Sequence, residues 1–314
     1  MTKRFLITAM VTLLATPIAH SDLEETRATL RQHILELINR DRARYNLAPV
    51  GLDMQASQIG DDYCRTQIQN GTTGHFTTDG VPPYARYSWG GGNDAVSENA
   101  AAWSASYDFS ERALVEMAGR SQDAMMAEMA PHDGHKRTML DPHATHVGIG
   151  MAWRGGEFRL VQEFVRRYIT WTRALPRAAR LDQVVTTSGV AAPGTRIEGI
   201  TVHHEPLPQG LSAHVASAIS TYALPDRRRE YVARSARSKK GVLAAARRND
   251  FTLRDDGAFS FTVPFTDGPG LYTVVVWVRK DGQSTAFPAS NISIRVDGGL
   301  QNAAGRAEVR PALK

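Results

Sequence analysis

The chain reads His132-Asp-Gly-His-Lys-Arg-Thr-Met-Leu-Asp-Pro-His-Ala-Thr-His-Val-Gly-Ile-Gly150 ahead of an apolar strand pattern. Four histidines fall within this stretch, at positions 132, 135, 143 and 146. Imidazole is a common metal ligand and carries protons near neutral pH. Two hypotheses are open at this point: the four histidines form one site, or they are divided between a site and a scaffold.

The flanking sequence predicts a mixed helix and strand domain. Apolar residues at three- and four-residue spacing, with polar caps, indicate helices. A glycine pair between two apolar runs indicates a β-hairpin. The predicted helices cover 22–45, 53–70 and 110–129, and the predicted hairpin strands cover 145–153 and 157–168. Residues 71–97 are predicted to form a long loop, with a short strand near Val96.

The length of 314 residues favours two domains. Lys3 and Arg4 precede an apolar run from Phe5 to Ala15, and Ala19-His20-Ser21 follows. This pattern predicts a signal peptide over 1–21, because an anchor needs about twenty apolar residues. We therefore expect an exported protein, secreted or periplasmic. Its single cysteine, Cys64, excludes an internal disulfide and is predicted to be buried in a core.

The charge of the chain is unevenly distributed. The whole sequence has 37 Lys and Arg against 32 Asp and Glu. Nine of the basic residues and a single acid fall between Arg227 and Arg248. This segment indicates contact with an anionic envelope polymer, although a solvated loop explains it equally well. Nucleic-acid binding is not expected.

The second half of the chain shows short apolar runs separated by turn residues, which is typical of a β-sandwich. The predicted strands cover 183–187, 195–203, 211–223, 258–263, 270–280 and 291–296. Tyr272 follows a Gly-Pro-Gly turn and is predicted to form a tyrosine corner. The expected organisation is a first domain over 22–172, a linker over 173–182, an immunoglobulin-like sandwich over 183–297 and a disordered tail over 298–314.

Polar residues of the first domain stand where loops meet helices or strands. His75, Glu98, Glu128 and His135 come from four separate segments. Two histidines with one or two carboxylates would suit a divalent metal such as zinc. They would equally suit a proton-shuttling pair.

Five short motifs appear in a recognisable order. They are Gly74-His75-Phe76, Glu98-Asn99, Gly134-His135-Lys-Arg, Thr145-His-Val-Gly-Ile-Gly150 and Gln162-Glu-Phe164. Together they resemble the CAP superfamily, which includes cysteine-rich secretory proteins, antigen five and pathogenesis-related proteins, over about residues 28–168. The resemblance implies an α-β-α sandwich with a cleft lined by two histidines and two glutamates. The overall expectation is an α+β protein.

The resemblance also divides the candidate residues. His75, Glu98 and His135 match three members of the tetrad; Glu128 is the choice for the second acid, with Glu116 as the alternative. His146 is then a scaffold histidine, and His132 and His143 have no counterpart. In the second domain, His203 and His204 are expected to form a surface pair.

Two functions remain open, beside a third possibility, a purely structural envelope protein. The first is a binding module whose cleft holds a divalent metal, or a small-molecule, lipid or peptide ligand, while the sandwich attaches it to the envelope. The second is a metal-dependent peptidase, in which His75 and His135 hold the metal and Glu98 and His135 are catalytic. No Ser/His/Asp arrangement is evident, which favours binding.

Overall fold

The computed structural model describes residues 18–233 and 250–298. Most helices lie in the first half of the chain and most strands in the second. The helices are α1 (Ile18–Arg44), α2 (Met54–Asn70), α3 (Pro83–Trp89), α4 (Glu111–Met126), α5 (Gly134–Met139) and α6 (Ala213–Ala218). The strands are β1 (Gly51–Leu52), β2 (Ala95–Ser104), β3 (His146–Arg154), β4 (Glu157–Arg166), β5 (Ile169–Arg173), β6 (Ala178–Arg180), β7 (Val184–Ala191), β8 (Thr195–Glu205), β9 (Arg228–Ala233), β10 (Asp250–Leu253), β11 (Ala258–Pro264), β12 (Gly270–Lys280) and β13 (Phe287–Asp297).

Capping residues set the ends of two helices of the first domain. The Asp53 carboxylate accepts a main-chain N–H in the first turn of α2, and Gly71 ends that helix in the left-handed conformation. Ser110 caps α4 in the same manner. Helix α4 stops at Met126, short of the predicted Met129, whose side chain is 80% exposed and not part of the core.

The first domain is built on a four-stranded sheet in the order β1-β3-β4-β2. Strands β3 and β4 form the predicted hairpin, with Gly155 in its turn at φ 59°. Alternate side chains face opposite sides of the sheet. Ile149 and Leu160 join a core with α1 and α4, whereas Val161 packs against α2. The predicted α-β-α sandwich is confirmed.

Helix α2 lies very close to β3 because glycine occupies both sides of the contact. A Cβ atom on Gly150 would lie only 2.2 Å from the main-chain carbon of Gly60. The Ser57 hydroxyl accepts the N–H of Ile149 at 2.9 Å, which fixes the helix along the strand. This contact sets the position of the α2 end, and the loop that carries His75 follows directly.

A buried arginine of α1 holds the segment before the hairpin. Arg42 is fully buried and donates to the carbonyl oxygens of Met139 at 2.7 Å and Asp141 at 3.0 Å. Its Nε atom donates to the Ala48 carbonyl at 2.9 Å. Met139 ends α5, the short helix that carries His135. The first helix of the domain therefore helps to place a candidate site residue.

The second half of the chain is a β-sandwich. One sheet has the order β5-β7-β11-β10 and the other β9-β8-β12-β13-β6, and β9 also pairs with β10. Aromatic and branched side chains such as Phe261 and Val274 fill the space between them. Tyr272 accepts the N–H of Asp267 and donates to the Gly268 carbonyl, both at 2.8 Å. These two bonds form the predicted tyrosine corner.

The sandwich packs against α3 and the start of β2. The Asn291 side-chain oxygen accepts the N–H of Val96 at 2.9 Å, and the main-chain carbonyl of Asn291 accepts the Ser88 hydroxyl at 2.9 Å. Arg177 donates to the carbonyl oxygens of Ser88 and Gly92 at 2.6 and 2.8 Å. Side chains of the second domain thus satisfy main-chain groups of the first.

Several segments differ from the sequence-based expectation. The predicted loop 71–97 contains α3 and the beginning of β2, and the predicted linker 173–182 carries β6. Strand β5 pairs with β7 of the sandwich although it begins inside the segment 22–172. Residues 211–223, predicted as a strand, contain α6 instead, and β9 and β10 were not predicted. Pairing with distant strands overrides local patterns at these places.

Some predictions fall outside the described ranges. These are most of the signal peptide over 1–21, the tail after residue 298 and most of the basic segment Arg227–Arg248. Helix α1 begins at Ile18, within the predicted signal peptide. Among the helices of the described residues, none combines the length and apolar character needed to cross a bilayer.

Candidate functional site

The four tetrad candidates all line one cleft of about 940 Å³. His75 follows α2, and Glu98 lies in β2, the last strand of the sheet order. Glu128 and His135 flank the turn between α4 and α5. The fold therefore brings together residues that are spread over sixty positions of the sequence.

On one side of the cleft, His75 is held by a buried carboxylate. Its Nδ1 atom lies 2.9 Å from Oε1 of Glu98, and both side chains are buried. Arg86 donates to the other oxygen of Glu98 and, at 3.0 Å, to the His75 carbonyl. Burial by itself raises the pKa of Glu98, but the Arg86 charge and the His75 hydrogen bond outweigh it and hold that pKa below its usual value.

A second buried acid, Glu163, completes this cluster. It is the register partner of Glu98 on β4 and is fully buried. Its nearest charged partner is Arg86, 3.6 Å away, and its carboxyl oxygens have no hydrogen bond to the described residues. Burial and the neighbouring Glu98 charge raise the pKa of Glu163 well above its usual value. The pKa values of the two neighbouring acids, Glu98 and Glu163, are therefore shifted in opposite directions.

The second histidine has an equivalent arrangement on the opposite side. The Nδ1 atom of His135 lies 2.5 Å from Oε1 of Glu128, whose other oxygen accepts the His135 N–H at 3.0 Å. Asn99 donates to the His135 carbonyl at 3.1 Å. Glu116 does not contribute, because it is exposed on α4 and lies 3.7 Å from Arg120. Glu128 is the acid beside His135.

The two imidazoles face each other across the cleft. Their ring centroids are 6.4 Å apart and their planes differ by 33°. Each Nδ1 atom is occupied by a carboxylate, and neither Nε2 atom has a hydrogen-bond partner within residues 18–233 and 250–298. The Nε2 atoms of His75 and His135 are thus available to contact a ligand in the cleft.

The carboxylates do not join the histidines as a ready set of ligands. Within the described parts of the chain, no group of three or more His, Cys, Asp or Glu side chains is arranged to hold a metal ion. Glu98 and Glu128 instead use their oxygens on Nδ1 atoms, on Arg86 and on main-chain N–H groups. Glu98 and Glu128 thus contact the Nδ1 atoms of the histidines, and the four predicted ligands do not converge on one point within the described residues.

Residues 35–164 match the model of the cysteine-rich secretory protein family, CAP. This part of the chain is a CAP domain. The match contains all four tetrad candidates and ends before the sandwich domain begins. It confirms the resemblance found in the sequence motifs.

One similar solved structure is the 1.5 Å crystal structure of an extracellular protein containing an SCP domain from Bacillus anthracis str. Ames. The two chains share 20% sequence identity, with a TM-score of 0.33. The similarity covers 43% of this chain and 40% of that chain, so less than half of either protein is compared. No curated protein matches the chain.

The remaining histidines near the CAP cleft have separate environments. His132 lines the cleft beside His135. His143 stacks on Phe287 of the sandwich domain with ring centroids 3.7 Å apart. His146 is half-buried, with Nδ1 3.0 Å from the Thr145 hydroxyl, and is a scaffold residue. The four histidines of residues 132–150 therefore do not form one site.

The histidine pair of the sandwich domain is divided between two environments. His203 is buried, and its Nδ1 lies 2.7 Å from the Pro225 carbonyl. His204 packs against the Tyr272 ring, with centroids 4.5 Å apart. The expected surface pair is wrong for His203, because the segment that contains Pro225 covers it.

Sequence reasoning missed three contributors to the CAP site. Glu163 lies inside the motif Gln162-Glu-Phe164, which was used only as a family marker. Arg86 lies in α3, within a segment that the sequence predicts to be a loop. Tyr222 comes from the sandwich domain, more than 120 residues after Glu98, and no local pattern connects it to the cleft.

Proposed function

We propose that the CAP cleft binds a divalent transition metal, most simply zinc, through Nε2 of His75 and Nε2 of His135. The observation that carries this proposal is the pairing of each Nδ1 atom with a carboxylate. A metal-binding histidine usually donates its other ring nitrogen to such a partner, which fixes the tautomer and the ring orientation. Two independent histidines with this arrangement share one cleft.

The residues present fit such an ion. The ring centroids are 6.4 Å apart and would have to approach by about 1 Å for both Nε2 atoms to reach one tetrahedral ion at about 2.0–2.1 Å. Zinc prefers nitrogen and oxygen donors when thiolates are absent, and Cys64 is buried elsewhere. With two protein ligands, the ion would act as a Lewis acid with open positions for the donor groups of a ligand.

The lining of the cleft favours a polar ligand. Lys136, Arg137 and Arg166 border it, together with hydroxyl side chains. Part of this charge is paired within the cleft: Arg166 donates a hydrogen bond to Asp141 at 2.5 Å. Leu140 and two prolines, Pro131 and Pro142, add apolar surface to the lining. We therefore infer a small-molecule or peptide ligand that carries polar groups.

The hydrolase alternative receives less support. A metal-dependent peptidase needs a carboxylate that can accept a proton from a metal-bound water. Glu98 is fully buried, and its two oxygens contact His75 and Arg86. Glu128 is engaged with His135 and the α5 N–H groups. We infer that both acids orient the histidines, and that binding is the primary activity.

We further propose that the sandwich is immunoglobulin-like and attaches the exported protein to its envelope. The first strand of the sandwich is divided into two parts, β5 and β6. Strand β5 pairs with β7 in one sheet, and β6 pairs in parallel with β13 in the other, which supports the immunoglobulin-like topology. The nine basic residues between Arg227 and Arg248 support an anionic polymer as partner. Salt-dependent retention on an anionic polysaccharide resin, lost when the basic residues of 234–248 become glutamine, would test this role.

The metal proposal is tested by equilibrium dialysis of the chelator-treated protein against zinc. We expect one zinc per chain, and loss of that zinc in His75→Ala and in His135→Ala. His146→Ala is the matched control, because it removes a half-buried imidazole of the same domain outside the cleft. Unchanged zinc binding in both cleft variants would contradict the proposal.

A further inference from the structure

The second domain sends a segment across to the CAP cleft. Residues 206–227, here named the arm, connect β8 to β9 and contain α6. Near its start, the Leu211 N–H donates to the Thr78 carbonyl at 2.7 Å. In α6, the Ser217 hydroxyl accepts the N–H of Thr73 at 3.1 Å. Both contacts fall on the loop that carries His75, so the arm is docked beside that histidine.

A tyrosine of the arm lies directly against the site. The edge of the Tyr222 ring meets the His75 ring, with centroids 5.1 Å apart and planes inclined by 64°. The Tyr222 oxygen accepts the main-chain N–H of Glu98 at 2.6 Å. Its hydroxyl hydrogen is directed to the Glu98 carbonyl, 3.5 Å away. Burial and the Glu98 charge raise the pKa of Tyr222, so the phenol stays neutral at physiological pH.

The position of Glu98 in the sheet explains why these bonds are available. Strand β2 pairs with β4 on one side only, and Glu98 turns its main-chain N–H away from β4. An unpaired N–H of an edge strand needs a partner when it is buried. Tyr222 supplies that partner, and Asn291 does the same for Val96 two residues earlier. Both partners belong to the sandwich domain.

We propose that Tyr222 is a positioning residue for His75, so that the metal-binding cleft is a site shared by both domains. It acts on His75 twice: its ring limits the rotation of the imidazole, and its hydroxyl fixes the main chain of the residue whose carboxylate holds Nδ1. Ser220 and Thr221 also line the cleft, so a ligand beside the metal would contact the arm. This inference rests on the proposed metal binding for its first test but not for its second.

The first test compares zinc affinity in the full chain. We expect Tyr222→Ala to weaken zinc binding by about 10- to 100-fold, the range typical for loss of a group that orients a metal-binding histidine. Tyr222→Phe keeps the ring and loses the hydroxyl, so an intermediate loss is expected. Tyr231→Phe is the matched control, because its hydroxyl lies inside the sandwich without a hydrogen-bond partner among the described residues. Wild-type affinity in both Tyr222 variants would overturn the proposal.

The second test uses the metal-free protein and the nitrogen chemical shifts of the His75 imidazole. In the wild type we expect a single tautomer with hydrogen on Nδ1, as donation to Glu98 requires. Tyr222→Ala should give a mixture of tautomers, while Tyr231→Phe keeps one, with thermal melting confirming that each variant is folded. A single tautomer in folded Tyr222→Ala would overturn the positioning role. Because no metal is present, this result is separate from any failure of zinc binding.

Discussion

Glu98 and Glu163 are direct register partners on neighbouring strands, and both carboxyl groups are buried beside the same guanidinium, that of Arg86. One positive charge cannot compensate two buried carboxylates. The pKa of Glu98 is lowered by Arg86 and His75 against the effect of burial, whereas burial and Glu98 raise the pKa of Glu163. The carboxyl of Glu163 therefore keeps its proton to a higher pH than the carboxyl of Glu98.

This pair predicts how stability depends on pH. A carboxyl whose folded pKa is raised contributes stability that is fully present below its ordinary value of 4.5 and is lost as the pH rises through the folded pKa. Glu163→Gln removes this proton without changing the shape of the side chain. Between pH 4.5 and pH 8 we expect the wild type to lose stability relative to the variant, with a slope of up to about 1.4 kcal/mol per pH unit. Thermal melts across this range measure the slope; parallel curves for the two proteins would contradict it.

Arg86 should contribute strongly to the stability of the folded protein at neutral pH. Arg86→Met leaves Glu98 buried without its counter-charge, and breaking such a pair costs about 3–5 kcal/mol. The cost should shrink in acid, where Glu98 becomes protonated. Arg65→Ala is the control, since its partner Asp62 is exposed and such pairs contribute about 1 kcal/mol at most. The free energies of unfolding are measured with urea. Equal losses of unfolding free energy in the two variants would contradict this prediction.

The glycine positions where α2 contacts β3 should not tolerate substitution by alanine. Gly150→Ala places a Cβ atom against the main chain of Gly60, and we expect a loss of about 1–3 kcal/mol or more from overpacking. Gly119→Ala, in the interior of α4, meets no atom within 4 Å and should stabilise the protein by about 0.5–1 kcal/mol. Denaturant unfolding should show a lower free energy of unfolding for Gly150→Ala and a higher one for Gly119→Ala. An unchanged free energy of unfolding for Gly150→Ala would contradict this prediction and show that α2 can move away from β3.

The sequence predicts those parts of the fold that depend on local signals. Caps such as Asp53, the glycine turn at Gly155 and the corner at Tyr272 were each identifiable from neighbouring residues. Strand β2 was underestimated because its Ala-rich second half carries no alternating pattern and is stabilised by pairing with β4. The arm was misread as a strand, since its place is fixed by contacts with a loop more than 130 residues earlier.

The sequence likewise predicts some residues of the candidate site and not others. His75, Glu98 and His135 stand in sequence motifs, and the structure places all three in one cleft. Glu128 lies in the same cleft, whereas Glu116 is exposed on α4. The roles of the acids were not predictable, because hydrogen-bond partners depend on the three-dimensional placement of Nδ1 atoms. Tyr222 belongs to another domain, so no spacing rule connects it to the cleft.

The most direct measurement is anomalous scattering at the zinc absorption edge from crystals of the zinc-loaded full chain. The account predicts one strong peak between the two rings, about 2.0–2.1 Å from Nε2 of His75 and from Nε2 of His135. Glu98 and Glu128 should remain on the Nδ1 atoms, as they are here. A peak held by His132 and His135 without His75, or no peak in the cleft, would contradict the central claim.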